Sequence, residues 1–340
     1  MSREIKVSNL KIGGNNPIVV QSMCNTKTYD VDATVKQIID LENEGCELIR
    51  VAVPDERSGN ALKEIVKQIH IPLVADIHYD YKLAILSAEN GASKIRLNPG
   101  NLKPDKIEYV ASFLKERQIP IRIGVNGGSL EKQFQGLPLD DAMVESALYH
   151  TSLLEKHGFY DTVISVKSSN VKKMVSAYRK LSDKVDYPLH LGVTEAGTMN
   201  MGVVKSAIGI GSLLVDGIGD TIRVSLTADP LEEIRCAKRI LKSLDLRGGV
   251  EVVSCPTCGR TNIEVEKFAT EIEKLTKNVE KNIKIAVMGC VVNGVGEGKD
   301  ADFGVAGGKE FSVLFKNGEQ YKRIKNEDIL PELMKMAEEF

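Results

Sequence analysis

Residues 121–126 read Ile-Arg-Ile-Gly-Val-Asn and residues 162–167 read Thr-Val-Ile-Ser-Val-Lys, with an amphipathic segment over 141–156 between them. A short β-branched run, a longer amphipathic stretch and a second such run is the signature of a parallel β-α-β unit. The same theme extends in both directions from this pair. Further strands are expected at 18–22, 48–53, 73–77, 94–98, 189–194 and 221–225, and further helices include 31–44, 61–69, 107–117 and 231–243. Eight consecutive units without an antiparallel break favour closure into a TM-type (β/α)8 barrel, hence an α/β fold, over a doubly wound sheet.

The chain has 340 residues, which suits a barrel of roughly 250 residues and a smaller domain of about 100. The rhythm changes after Asp245, so the expected division is 1–245 for a substrate-binding barrel and 246–340 for a second domain. In that second part strands at 250–254 and 283–288 each run into a cysteine. A helix is expected over 262–275, a hairpin pairs 311–316 with 320–324 around Asn317-Gly318, and a helix closes the chain over 328–339.

Bulk composition removes several classes of function. Lys and Arg total 45 against 47 Asp and Glu, a net charge of -2, so no overall field attracts nucleic acid or an anionic membrane. No apolar run approaches the roughly 20 residues needed to cross a bilayer. The charged N-terminus, Met-Ser-Arg-Glu-Ile-Lys, lacks the pattern of a secretory signal, and six cysteines are too sparse for an exported disulfide scaffold. A cytoplasmic location is expected, with clustered thiols as candidate metal ligands.

The barrel strands carry cations where a plain core would have none: Arg50, Arg96, Arg122, Lys167 and Arg223. Parallel strands of a barrel direct their C-terminal ends to one mouth, so five cations can converge on a doubly charged group such as a diphosphate. The carboxylates near strand ends, chiefly Asp76, Glu195 and Asp220, are too few to pair with all of them. Hydrogen-bonding residues expected at the same mouth are Gln21, Ser22, His78, Asn98, Asn126, Ser168, His190, Thr194 and Ser225. Glu195, in Leu-Gly-Val-Thr-Glu-Ala-Gly, is the candidate acid or base, ahead of His78 and His190. Gly209-Ile210-Gly211 lacks the third glycine and the strand context of a dinucleotide fingerprint and is assigned no cofactor.

Cys255-Pro-Thr-Cys258 and Cys290, thirty-two positions later, gather three thiols in the second domain. No histidine follows His190, which counts against a four-ligand structural zinc site. Three thiolates fit a [4Fe-4S] cluster with one iron left for an oxygen ligand, and Glu297, seven residues past Cys290 in a glycine-rich turn, is the natural candidate. Cys46 and Cys236 read as small core residues; Cys24, just after the first strand, is left open. Two other readings are weighed: a non-redox barrel enzyme acting on a pterin or sugar phosphate with structural zinc, and a module that grips RNA or protein.

Seven segments carry a family resemblance: Val-Ala-Asp-Ile-His-Tyr-Asp, Arg-Leu-Asn-Pro-Gly-Asn, Pro-Ile-Arg-Ile-Gly-Val-Asn-Gly-Gly-Ser-Leu-Glu-Lys, His-Leu-Gly-Val-Thr-Glu-Ala-Gly, Gly-Ile-Gly-Asp-Thr-Ile-Arg-Val-Ser-Leu, Cys-Pro-Thr-Cys-Gly-Arg and Gly-Cys-Val-Val-Asn-Gly. In this order the chain resembles the 4-hydroxy-3-methylbut-2-enyl diphosphate synthases, iron–sulfur enzymes of the non-mevalonate isoprenoid pathway, in their short bacterial form. The resemblance implies a reductive ring opening of 2-C-methyl-D-erythritol 2,4-cyclodiphosphate, with ferredoxin or flavodoxin as electron donor. It implies cluster ligation by Cys255, Cys258, Cys290 and Glu297. Substrate would be held by Arg50, Arg96, Arg122 and Lys167, helped by Asn126 and Ser225, with Glu195 near the reacting carbons; Thr194 and Arg223 complete the expected binding set. It further implies a second domain like the cluster domain of sulfite and nitrite reductases, and a homodimer in which that domain caps the partner's barrel. Glu297 is expected to act in catalysis as a displaceable ligand. Val295 stands where many members of that family carry proline, a change that removes no ligand.

Overall fold

The computed structural model describes residues 1–277, 279–292 and 294–339. Asn293, part of the quoted Gly-Cys-Val-Val-Asn-Gly segment, lies outside the described residues. The chain divides into two compact units, Met1–Leu244 and Asp245–Phe340.

The first unit begins with a hairpin of β1 (Ile5–Val7) and β2 (Leu10–Ile12). The barrel follows as β3 (Val19–Met23), α1 (Val31–Glu44), β4 (Leu48–Ala52), α2 (Glu56–Ile65), β5 (Leu73–Asp76), α3 (Tyr81–Glu89), β6 (Lys94–Arg96) and α4 (Pro104–Glu116). It continues through β7 (Ile121–Asn126), α5 (Leu139–Glu155), β8 (Thr162–Lys167), α6 (Val171–Ser182), β9 (His190–Leu191), α7 (Met199–Val215), β10 (Thr221–Ile222) and α8 (Pro230–Lys242). Neighbouring strands pair in sequence order, β10 returns to β3, and a parallel bridge from Ile164 to Leu189 closes β8 onto the segment entering β9.

Side chains alternate across each strand, and the two faces differ sharply. Ile49, Val51, Ala75, Ile95, Leu97, Ile121, Ile123, Ile164, Val166, Leu191 and Val224 point outward into one core shared with the helices. That core holds the barrel together by burial of apolar area. The inward positions carry the cations. At the N-terminal end the lumen is apolar: Val19, Leu48 and Val74 pack against Val7 and Ile12 of the hairpin, which forms the floor. The sequence reading assigned nothing before residue 18, because strands of three residues leave too short a pattern to detect.

Two expected boundaries move for local reasons. Helix α2 starts at Glu56 rather than 61, since Asp55 caps it by accepting the Ser58 N–H at 2.8 Å, while the apolar periodicity begins only at Ala61. Strand β9 ends at Leu191 rather than 194, and the chain turns at Glu195 with φ +53°. Gly209 and Gly211 lie inside α7, as their helix-like context suggested.

The second unit is a five-stranded α+β sheet. Its strands are β11 (Val250–Ser254), β12 (Ile283–Met288), β13 (Phe303–Ala306), β14 (Phe311–Lys316) and β15 (Glu319–Lys325), in that spatial order. The first three are mutually parallel and the last three antiparallel. Helices α9 (Val265–Leu275) and α11 (Ile329–Glu339) flank the sheet, and a single turn, α10 (Gly294–Glu297), follows Cys290. The glycine-rich stretch expected to be a flexible turn is therefore helical over those four residues.

Candidate active site

Five of the expected cations and one unexpected one meet in the lumen of the first unit. Arg50, Lys94, Arg96, Arg122, Lys167 and Arg223 are all at least mostly buried. Among the described residues two carboxylates answer them. Asp76, on β5, lies 3.7 Å from Arg50 and 3.4 Å from Arg96. Glu233, which the sequence reading missed, reaches in from α8 to 3.7 Å from Arg223 and also accepts from Ser22 Oγ at 3.3 Å and the Leu226 N–H at 2.9 Å. Asp220 belongs elsewhere: it accepts from Ser2 and from the Leu189 N–H near the N-terminal end of the strands, so the expectation that it stands near the mouth is corrected.

Six cations against two carboxylates leave an uncompensated positive lumen, and the electrostatics record it. Burial alone would raise the Asp76 carboxyl, but Arg50, Arg96 and Arg122 overcome this and hold it below the ordinary range. Burial, reinforced by Arg50 and Arg96, pushes Arg122 well below its ordinary value. Lys167 is pushed well down by burial and then by Arg122 and Arg223. Arg223 falls to about 10 for the same two kinds of reason, burial and Arg50. Each shift has the same cause, burial among like charges, and an anion placed among them would oppose it.

Glycines make room for these heads. A Cβ on Gly124 would stand 2.8 Å from Arg96 Nε and 3.1 Å from an Arg122 nitrogen, and one on Gly192 would stand 2.8 Å from Lys167 Nζ. Arg96 donates to the Gly124 carbonyl at 3.0 Å and Arg122 to Ser165 Oγ at 2.6 Å. Asn98 clamps Gly124 from both sides, accepting its N–H at 2.8 Å and donating to its carbonyl at 3.0 Å.

His190 is completely buried rather than displayed at the mouth, and it stands between Lys167 and Thr221. Asn126, Thr194 and Ser225 are half-buried at strand ends, while Glu195 and His78 are exposed. The Glu195 backbone occupies the left-handed region, an outlier for a glutamate that marks a constrained position. One network escaped the sequence reading altogether. Buried His150 accepts the Gly100 N–H at 2.8 Å and meets Glu131 at 2.5 Å, while Ser146 donates to Glu131 at 2.7 Å, which ties the loops after β6 and β7 to α5.

In the second unit the parallel pair β11 and β12, in register from Val250↔Ile283 to Ser254↔Val287, delivers Cys255 and Cys290 to the same end of the sheet. Cys255 Sγ accepts the Gly289 N–H at 3.1 Å. Cys258 and Thr261 close a tight turn, each N–H bonding the other residue at 3.0 Å. The Cys258 thiol is drawn down by a backbone hydrogen bond at Arg260 and by the Arg260 side chain. Arg260 feels Cys258, Cys290 and Glu297 together, so all four surround one region. Gly294 is pressed against Ala306 and Met288, where a Cβ would stand 2.8 and 2.9 Å from theirs, and this seats the turn that carries Glu297. Among the described residues no three His, Cys, Asp or Glu side chains converge on a single ion. Cys255, Cys258, Cys290 and Glu297 offer three sulfur donors and one oxygen donor, a set whose chemistry suits iron–sulfur ligation. By contrast Cys24, Cys46 and Cys236 are buried, and burial pushes their thiols up to about 12, 12 and 11.

Fold and lumen together define a class: a (β/α)8 barrel with a cation-lined interior, followed by a separate α+β unit bearing three thiols. The chain belongs to the GcpE family, matching the GcpE TIM-barrel domain over residues 2–238 and the GcpE protein C-terminal domain over 251–339. It is 61% identical over 99% of its length to 97% of a Caldanaerobacter subterraneus protein named 4-hydroxy-3-methylbut-2-en-1-yl diphosphate synthase (flavodoxin). A Fusobacterium nucleatum protein of the same name is 57% identical over 99% of this chain and 97% of its own. Among solved structures, dihydropteroate synthase from Stenotrophomonas maltophilia superposes with a TM-score of 0.55 at 13% identity, covering 72% of this chain and 98% of that one. The Yersinia pestis dihydropteroate synthase gives 0.53 at 15%, covering 71% and 98%. These likenesses concern the barrel fold alone. No helix among the described residues is long and apolar enough to cross a membrane.

Proposed function

We propose that the chain reductively opens 2-C-methyl-D-erythritol 2,4-cyclodiphosphate to 4-hydroxy-3-methylbut-2-enyl diphosphate, consuming two electrons and two protons and releasing water. The observation that carries this is the surplus of buried cations over carboxylates in the lumen, which calls for a small polyanion. The names of the relatives select which one. Arg50, Arg96, Arg122, Lys167 and Arg223 hold the diphosphate, with Asn126, Thr194 and Ser225 completing the rim. Glu195 serves as the acid or base near the reacting carbons.

Cys255, Cys258, Cys290 and Glu297 hold a [4Fe-4S] cluster in a unit like the cluster domain of sulfite and nitrite reductases. When bound, the cluster supplies single electrons and a Lewis-acidic iron. Flavodoxin, or alternatively ferredoxin, delivers the electrons, in the cytoplasm, to a homodimer in which the cluster unit of one subunit serves the partner's barrel. Residues 1–245 and 246–340 are the corresponding substrate and cluster domains.

Anaerobic turnover of the cyclic diphosphate with reduced flavodoxin tests the reaction. Formation of the linear diphosphate is expected, and a colourless, iron-free protein without turnover would defeat it. Mixing a barrel-defective Arg122→Ala chain with a cluster-defective Cys290→Ser chain tests the arrangement, since a partner-served dimer regains activity on subunit exchange.

A further inference from the structure

Lys94 opens β6 two residues before Arg96, so both side chains face the lumen, about 6.6 Å apart along the strand. Its register with Val74, itself beside Arg50, places it level with the apolar end of the lumen. It is completely buried, and among the described residues no hydrogen-bond partner meets its Nζ. The two lumen carboxylates are engaged elsewhere, Asp76 by Arg50 and Arg96, Glu233 by Arg223 and Ser22. Gln21, on β3 and only 1% exposed, likewise has no partner among the described residues for either its amide oxygen or its amide nitrogen. Burial first, then repulsion from Arg122 and Arg50, holds the Lys94 amine well below its ordinary value. An unpartnered amine destabilises the unliganded fold, and a methionine of similar volume would not.

We infer that Lys94 is a further anion-binding residue: its ammonium takes the innermost oxygens of a diphosphate whose outer oxygens meet Arg50, Arg96, Arg122 and Lys167. This rests on the polyanion reading of the lumen. An anion beside the amine favours its protonated form, because it supplies countercharge against burial and the neighbouring arginines.

Calorimetric titration of the anaerobic holoprotein with inorganic pyrophosphate, in two buffers of different ionisation enthalpy, gives affinity and proton uptake together. Lys94→Met is expected to bind about tenfold more weakly, to take up fewer protons than wild type, and to melt at a higher temperature without anion. Lys94→Gln, which keeps a polar head but cannot be protonated, shows the same reduced uptake. Unchanged affinity and proton uptake in both variants would make Lys94 a packing residue and overturn the inference. Weaker binding with a lowered melting temperature and unchanged proton uptake would mark fold damage and overturn it equally. If wild type itself ignores pyrophosphate, the reading of the lumen fails before Lys94 is reached.

Discussion

Lys167 and His190 face each other inside the barrel, Nζ 3.1 Å from Nε2, with Thr221 Oγ1 2.7 Å from Nδ1 on the far side of the ring. The Lys167 amine donates to the bare nitrogen of a neutral ring, so Nε2 accepts and Nδ1 carries the hydrogen given to Thr221. Burial, then Lys167 and Arg122, keep the imidazole neutral well below its ordinary value of 6.5. The ring thus aims the amine without adding charge.

A pH dependence follows. The unfolded chain binds a proton on His190 that the folded one refuses, so this contribution to stability is complete above about 6.5 and is lost as pH falls. Between pH 6.5 and 5.5 it amounts to about 1 kcal/mol. Urea midpoints of wild type and His190→Gln should converge over that interval; parallel curves would contradict a neutral buried ring.

Gly124 is required by its neighbours' size. A methyl there stands 2.8 Å from Arg96 Nε, at the flexible end of a long side chain that can swing away. Gly124→Ala is therefore expected to fold with a stability within about 1 kcal/mol of wild type yet to weaken pyrophosphate binding about tenfold or more. Thermal melting and titration of one preparation separate the two effects.

Asp76 is the carboxylate that Arg50 and Arg96 share, and removing it leaves buried charge unanswered. Asp76→Asn is expected to lose about 3 kcal/mol of stability. Saturating pyrophosphate should then raise the melting temperature of the variant by more than that of wild type, since the anion replaces the lost countercharge.

Loss of a cluster thiol should be read in metal before it is read in rate. Cys258→Ser is expected to lower iron from about four per chain, whereas Cys46→Ser, at a site where the thiol is buried and pushed up to about 12, should leave iron unchanged. Equal iron in both preparations would remove Cys258 from the ligand set.

Glu195 is exposed and held at φ +53°. Glu195→Gln should lower kcat by a factor of about 100 or more with iron content and pyrophosphate affinity intact. A fall in affinity alone would reassign it to binding.

Much of this was legible in the chain. The strand-helix alternation, the cations spaced along apolar runs and the Cys-x2-Cys with its distant third thiol are local patterns, because strand and helix periodicity is written within a few residues. Lys94 went unnoticed beside Arg96 because a lysine opening a strand reads as a solvated end, and nothing local reveals that its Nζ is enclosed. Glu233 read as one more charge on an amphipathic helix; its partner Arg223 is near in sequence, but their meeting depends on how α8 packs.

By itself, then, the sequence determined the order of elements, the residue types available to the lumen and the thiols available for ligation. Tertiary structure alone decided which side of each strand faces inward, that Asp76 answers two arginines from different strands while Asp220 serves the opposite end, and that His190 is enclosed between Lys167 and Thr221. The reason is closure: residues such as Val19 and Thr221, paired across 202 positions of chain, become neighbours only when the last strand meets the first, and only then does a charge acquire its surroundings.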